Sequence, residues 1–197
     1  MVPSTAAAQE YTPSEYLSFE RASPDIRHEY IQGRIEAMAG ASRAHNLITS
    51  NIARRLGNQL EGTPCETYSS DMRVKTASTY TYPDVVVVCG EPEFEDREGD
   101  TLLNPTAIVE VLSPSTEAWD RGEKSFQYRT LPSIKDYLLV SQHRMRVEHY
   151  TRRAGGWTLH DATAADERIR LESIGCELTV SEMYQRVQFL SGDAETR

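Results

Sequence analysis

The sequence predicts an α/β domain of three layers, with helices on both faces of a central mixed β-sheet. Three stretches carry that prediction. Valines 85 to 88 are four consecutive β-branched residues, which suits a strand covered on both sides. Ala107 to Leu112 is a second strongly apolar strand. Ser42 to Leu60 is a long amphipathic helix, with Ile48, Ile52, Leu56 and Leu60 recurring at four-residue spacing. Apolar strands alternating with helical segments of this kind build layered α/β domains.

The remaining elements follow in order. Thr12-Pro13-Ser14-Glu15 is a helix start, with a Thr cap, Pro in the first turn and Glu three residues after the cap. That helix runs to about Ala22, and Ser23-Pro24-Asp25 breaks it. His28 to Met38 reads as two short strands about a tight turn at Gln32-Gly33. Gly62-Thr63-Pro64 ends the long helix. Strands are expected over Cys65 to Tyr68, Met72 to Thr76 and Pro83 to Cys89. Ser113-Pro114-Ser115 turns the chain into a helix from Thr116 to Thr130, closed by Pro132. Later strands are expected over Tyr137 to Ser141, Arg146 to Thr151, Trp157 to His160 and Ile169 to Glu172, with a last helix capped by Ser181. Residues 12–190 form one domain in this reading, between a disordered tail over 1–11 and a frayed tail over 191–197.

Composition bounds the function. The chain has 197 residues, of which 39% are hydrophobic, enough for one packed core. No apolar run approaches the roughly 20 residues of a membrane span, and Met1 to Glu10 lacks the basic start and apolar stretch of a secretory signal. The odd, scattered set Cys65, Cys89 and Cys176 argues against a disulfide framework and lacks zinc-site spacing, so a reduced, cytoplasmic protein is expected. The net charge of −9 counts against a large basic nucleic-acid footprint. Much of the acidity lies in Glu91 to Asp100, which reads as a solvated loop.

The informative residues are acids inside apolar strands. Glu110 shares a strand face with Ile108 and Leu112, where an ionised carboxylate must be paired, metal-bound or at a wet strand end. Asp84 opens the valine strand directly after Pro83. Two such acids could converge on Mg²⁺, which prefers carboxylate oxygens and keeps several waters. A structural ion pair for Glu110 and a turn cap for Asp84 explain the same positions. Glu29, in His28-Glu29-Tyr30-Ile31, is a third acid that could face the site or the solvent. Glu117, Asp120, Lys124 and Tyr128 fall near one helix face, so Lys124 could swing back toward the acids or pair with Asp120. His45, in the first turn of the long helix, could approach the site or complete the helix's hydrogen bonding. Arg43, Arg54, Arg55, Arg144, Arg146, Arg152 and Arg153 could line a groove or stand as solvated surface.

In order, His28-Glu29-Tyr30-Ile31-Gln32-Gly33, His45, Tyr82-Pro83-Asp84-Val85, Ile108-Val109-Glu110-Val111-Leu112-Ser113-Pro114-Ser115, Asp120 with Lys124, Tyr128, and Asp136-Tyr137-Leu138-Leu139-Val140 make a pattern. It resembles the Uma2 family of restriction-endonuclease-like proteins in the PD-(D/E)XK nuclease superfamily, over roughly Thr12 to Tyr150. The resemblance implies a restriction-endonuclease-like core and a Mg²⁺-dependent endonuclease acting on DNA, with Mn²⁺ as a substitute metal. It implies Asp84, Glu110 and Glu29 as metal ligands and Glu29, Asp84, Glu110 and Lys124 as the catalytic set. The superfamily motif carries a Lys two residues after the second acid; that position is Leu112, and the resemblance assigns its role to Lys124. Analogy of fold implies a homodimer. A non-catalytic nuclease-fold binding or regulatory module is the alternative, favoured by Leu112 and by the acidic charge.

Overall fold

The computed structural model describes residues 9–189, so the tails expected over 1–11 and 191–197 lie outside it except for 9–11. Tyr11 is tied down: its N–H donates to the Gly33 carbonyl at 2.8 Å, and its own carbonyl accepts the Tyr30 hydroxyl at 2.9 Å.

The chain begins with α1 (Pro13–Arg21), closed by the expected capping box between Thr12 and Glu15. A hairpin of β1 (His28–Ile31) and β2 (Arg34–Ala37) follows, then α2 (Arg43–Leu60). Next come β3 (Cys65–Ser69), β4 (Arg73–Lys75), β5 (Thr79–Thr81), β6 (Val85–Cys89), β7 (Thr101–Leu102) and β8 (Ala107–Leu112). The segment expected as one helix over Thr116 to Thr130 is broken: α3 (Glu117–Trp119), a π-helical turn over Asp120–Lys124 kinked at Gly122, and α4 (Ser125–Thr130). Strands β9 (Asp136–Ser141), β10 (Val147–Arg153), β11 (Gly156–Ala162), β12 (Arg168–Leu171) and β13 (Cys176–Thr179) complete the sheets. A 3₁₀ turn over Glu172–Ile174 precedes β13, and α5 (Val180–Met183) is capped by Thr179 rather than by Ser181.

The central sheet has six strands in the order β11-β10-β9-β8-β6-β3, and it is mixed because only β8 and β9 run parallel. A parallel pair cannot be joined by a hairpin and needs a crossover. The broken helical segment is that crossover, so it leaves the end of β8 and packs back across the sheet. The valine run alternates between layers as a doubly covered strand must. Val85 and Val87 pack with Ile48, Ile52 and Leu56 of α2, while Val86 and Val88 pack with Tyr128, Ile134 and Leu139. Each of these buried side chains contributes about 1.5–3 kcal/mol by its removal from water. The second face is shared with another sheet, of order β2-β1-β5-β4-β7, which the sequence did not announce because β5 and β7 are too short to show a period.

Two expectations are corrected. The acidic segment is not simply solvated: Arg21 pairs with Asp96 and Asp100 at 2.9 Å each, and Asp100 also pairs with the buried Arg73. Glu95 accepts the Tyr80 hydroxyl at 2.8 Å and pairs with Lys75. The segment therefore clamps α1 to the second sheet. The cysteines are not all reduced either. Cys65 and Cys89 face each other across the β3–β6 ladder and form a disulfide, leaving Cys176 as the free, buried thiol. Spacing along the chain could not reveal a bond set by antiparallel register, and the premise of a fully reduced chain falls. Alkylation of the unreduced, denatured protein is expected to label one cysteine, rising to three after reduction; three labels without reductant would contradict the bond.

Candidate active site

The central sheet brings the predicted acids to one strand end. In the β6–β8 ladder Val85 lies opposite Val109 and Val86 opposite Ile108, and Asp84 sits at a bend just before β6, beyond the last pair and beside the stretch of β8 that carries Glu110 and Val111. The Asp84 carboxylate does not extend the ladder. Its Oδ2 accepts the Val111 N–H at 2.7 Å and lies 3.3 Å from His45 Nε2. His45 is held there by its helix start: Ser42 caps α2 by accepting the His45 N–H at 3.1 Å. Burial opposes protonation of His45, but Asp84 and the Val111 carbonyl outweigh it, so its pKa lies above the usual 6.5.

Glu110 points to the opposite layer, as its place between Ile108 and Leu112 required. There Lys124 Nζ stands 3.0 Å from Glu110 Oε1, 3.1 Å from Glu29 Oε1 and 3.5 Å from Asp120 Oδ1. The kinked crossover puts both Asp120 and Lys124 inside, at 3% and 5% exposure. A π turn inserted between helices shifts the side-chain register, and such turns gather at functional sites. Tyr128 donates its hydroxyl proton to Glu110 Oε1 at 3.0 Å, so Thr81, 2.7 Å from the same phenol oxygen, is the donor to it. Glu29 is fixed by the Tyr82 N–H, which donates to its Oε1 at 3.1 Å.

One ammonium faces three carboxylates here, and that sets the protonation states. Burial alone would push Lys124 down, but Glu110 and Glu29 overcome it, so the amine stays charged with its pKa well above 10.5. Burial also pushes Glu110 well above 4.5. Lys124 works against that shift, while Asp120, Asp84 and Glu29 reinforce it. Asp120 moves the same way, chiefly through burial.

The four predicted site residues, Glu29, Asp84, Glu110 and Lys124, all line one cleft of about 470 Å³, together with His45 and Asp120. Among the described residues, Glu29, Asp84 and Glu110 each leave their second oxygen without a hydrogen bond. No group of three His, Cys, Asp or Glu side chains among the described residues is arranged to hold a metal ion unaided. The conjectured arginine groove does not form from most of its members. Arg55 pairs with Glu182, Arg146 with Asp161 and Arg153 with Glu172, while Arg152 donates to three backbone carbonyls. Sequence reasoning missed Thr81, Tyr82, Thr49 and Trp119 as members of the site or its walls. Tyr82 acts through its backbone, and the short strand holding Thr81 has no period to read.

Residues 13–181 match the model of the Uma2 family, described as "Putative restriction endonuclease". The chain belongs to the Uma2 family. It is 38% identical over 182 residues to the uncharacterized protein slr1290 of Synechocystis sp., covering 90% of this chain and 93% of that one. A second Synechocystis protein, uncharacterized sll1609, is 41% identical over 141 residues, or 71% of this chain and 79% of its own. The crystal structure of a "putative nuclease belonging to DUF820" from Anabaena variabilis superposes with a TM-score of 0.74 at 16% identity, covering 88% of this chain and 97% of that one. At that identity the likeness is one of fold. Among the described residues no helix is long and apolar enough to cross a membrane.

The raised pKa of Glu110 fixes the sign of a stability change. A carboxyl whose folded pKa is raised binds more protons folded than unfolded, so its contribution to stability falls as pH rises from 4.5 through the folded value. In metal-free buffer, Glu110→Gln should gain stability relative to the parent as pH rises through that window, measured by urea denaturation across a pH series. A difference that shrinks with rising pH would contradict the assignment.

Proposed function

We propose that this Uma2 protein is a Mg²⁺-dependent endonuclease that hydrolyses DNA phosphodiester bonds in the acidic cleft, with Glu29, Asp84, Glu110 and Lys124 as its working residues. The observation that carries the reading is the set of three acids, each with one oxygen outside any hydrogen bond, lining one solvent-open cleft with a buried lysine that pairs with two of them. The donor chemistry fits the cation. Mg²⁺ takes one or two carboxylates and completes its shell with waters and substrate oxygens, so it needs no dedicated cage of three side chains. Glu29, Glu36, Asp84, Glu110 and Asp120 also outnumber the basic side chains of the cleft lining, Lys124 and His45. That excess of negative charge is relieved by a bound cation.

Asp84 and Glu110 would hold the metal, with Glu29 as the additional acid. The bound ion supplies Lewis-acid polarisation of a phosphoryl oxygen and a more acidic water. The chain's own groups do the rest. His45 and the Val111 N–H fix the Asp84 carboxylate, so its free oxygen is preorganised. Tyr128 fixes Glu110 in the same way. Lys124 stays charged, and its ammonium stabilises negative charge developing on the phosphoryl group or orients the attacking water. It does so from the crossover segment, because Leu112 fills the motif's usual lysine position inside the core.

The second reading, a non-catalytic nuclease-fold module, is favoured by one observation: the Lys124 amine is already engaged by three carboxylates. Cleavage separates the two. With Mg²⁺ or Mn²⁺ the parent should cut plasmid or single-stranded DNA, Asp84→Ala should lose both cleavage and metal binding, and Lys124→Ala should slow cleavage by on the order of 10²-fold. Cleavage retained in Asp84→Ala would sink the mechanism, and intact DNA with the metal-loaded parent would favour the module.

A further inference from the structure

The cleft lining combines the carboxylate–lysine cluster with the apolar side chains of Ile31, Met38 and Trp119, and Ala37, Ala39 and Gly40 leave its wall low beside Glu36. We propose that this cleft takes an unpaired nucleotide, its base against Trp119 and its phosphate at the carboxylate–lysine cluster. The substrate class is then single-stranded or locally unpaired DNA rather than continuous duplex. The inference rests on the reading of the cleft as the nuclease site.

Charge supports it first. A duplex presents one phosphate charge per roughly 1.7 Å of axis and is held by many cations. The cleft lining offers Lys124 and His45 as its basic groups, and Lys124 already faces three carboxylates. Most arginines that could have flanked it are committed to Glu182, Asp161, Glu172 and backbone carbonyls. Binding must therefore draw on something other than phosphate contacts. Aromatic stacking is the sequence-tolerant alternative, and it requires an unstacked base.

Size and unsatisfied polar atoms point the same way. The volume of about 470 Å³ falls in the range of roughly 300–1,000 Å³ for pockets that enclose one small molecule. It suits one nucleotide and not a helix. Two lining side chains, Thr49 and Trp119, carry a buried polar atom, Oγ1 and Nε1, with no hydrogen-bond partner among the described residues. Thr49 is only 8% exposed. Buried polar atoms are normally bonded. A bound nucleotide supplies what these two lack: a base edge for Thr49 and, in the indole plane, a sugar or phosphate oxygen for Trp119.

The test reads binding without turnover, in the parent with Ca²⁺ in place of Mg²⁺, by fluorescence anisotropy. The probes are a labelled oligothymidine, the same strand paired with its complement, and the same strand with abasic sites. The single strand is expected to bind at least about tenfold more tightly than the duplex or the abasic strand. Trp119→Ala should lose about tenfold for the single strand alone, while Trp119→Phe keeps most of the affinity. Equal binding of the duplex, or of the abasic strand, overturns the proposal. If Trp119→Ala fails to fold, the abasic strand on the otherwise intact chain decides. A parent that never cleaves, beside a base-dependent single-strand preference, would remove the nuclease reading and leave this one standing. Cleavage by the parent without base dependence would do the reverse.

Discussion

The buried ammonium of Lys124 is the contact on which the rest of the arrangement depends. It meets Glu110 from the central sheet, Glu29 from the second sheet and Asp120 from the crossover, so three separate elements share one cation. Without it, three carboxylates would be buried with no counter-charge, and breaking such a pair costs on the order of 3–5 kcal/mol. The same cation lies in the kinked segment. A continuous α-helix over Thr116 to Thr130 is the simpler structure for that sequence, yet the chain inserts a π turn that buries Asp120 and Lys124 together. Local helical regularity yields to an electrostatic demand of the site.

The central sheet performs the complementary task. Its valine strand is covered on both sides, which fixes the β6–β8 register, and that register brings Asp84, just before β6, beside Glu110 and Val111 of β8. The two acids then diverge. Asp84 is held from the α2 layer by His45, and Glu110 from the crossover layer by Tyr128 and Lys124. The cleft lies where the layers meet. The surroundings of the two acids differ accordingly: Asp84 sits partly open to water, whereas Glu110 is almost wholly enclosed.

What could be read from the sequence was what repeats or interrupts a pattern. The four-residue spacing of α2, the valine run and the acid inside Ala107–Leu112 each announce an element or an anomaly, and all three are present. The capping box at Thr12 was equally legible because its hydrogen bonds are local. The second sheet was not, since two of its strands have only two and three residues and owe their pairing to distant partners. The Cys65–Cys89 bond and the Arg21–Asp100 clamp were hidden for the same reason. In the site, Lys124 was visible through helical spacing and the family pattern, although the helix proved broken. Tyr82 stood in the family pattern without a role, because it acts through its backbone N–H, and nothing in the sequence marked Trp119 as part of the cleft lining.

An acidic protein that handles a polyanion must neutralise charge locally, and a cation held at Asp84 and Glu110 is the means proposed here. The most direct test is crystallographic: crystals soaked to saturation with Mn²⁺ and measured for anomalous scattering. The account predicts a peak bounded by the free oxygens of Asp84 and Glu110, with Glu29 beside it. A saturated crystal with no peak in the cleft, or with manganese only elsewhere, would contradict it.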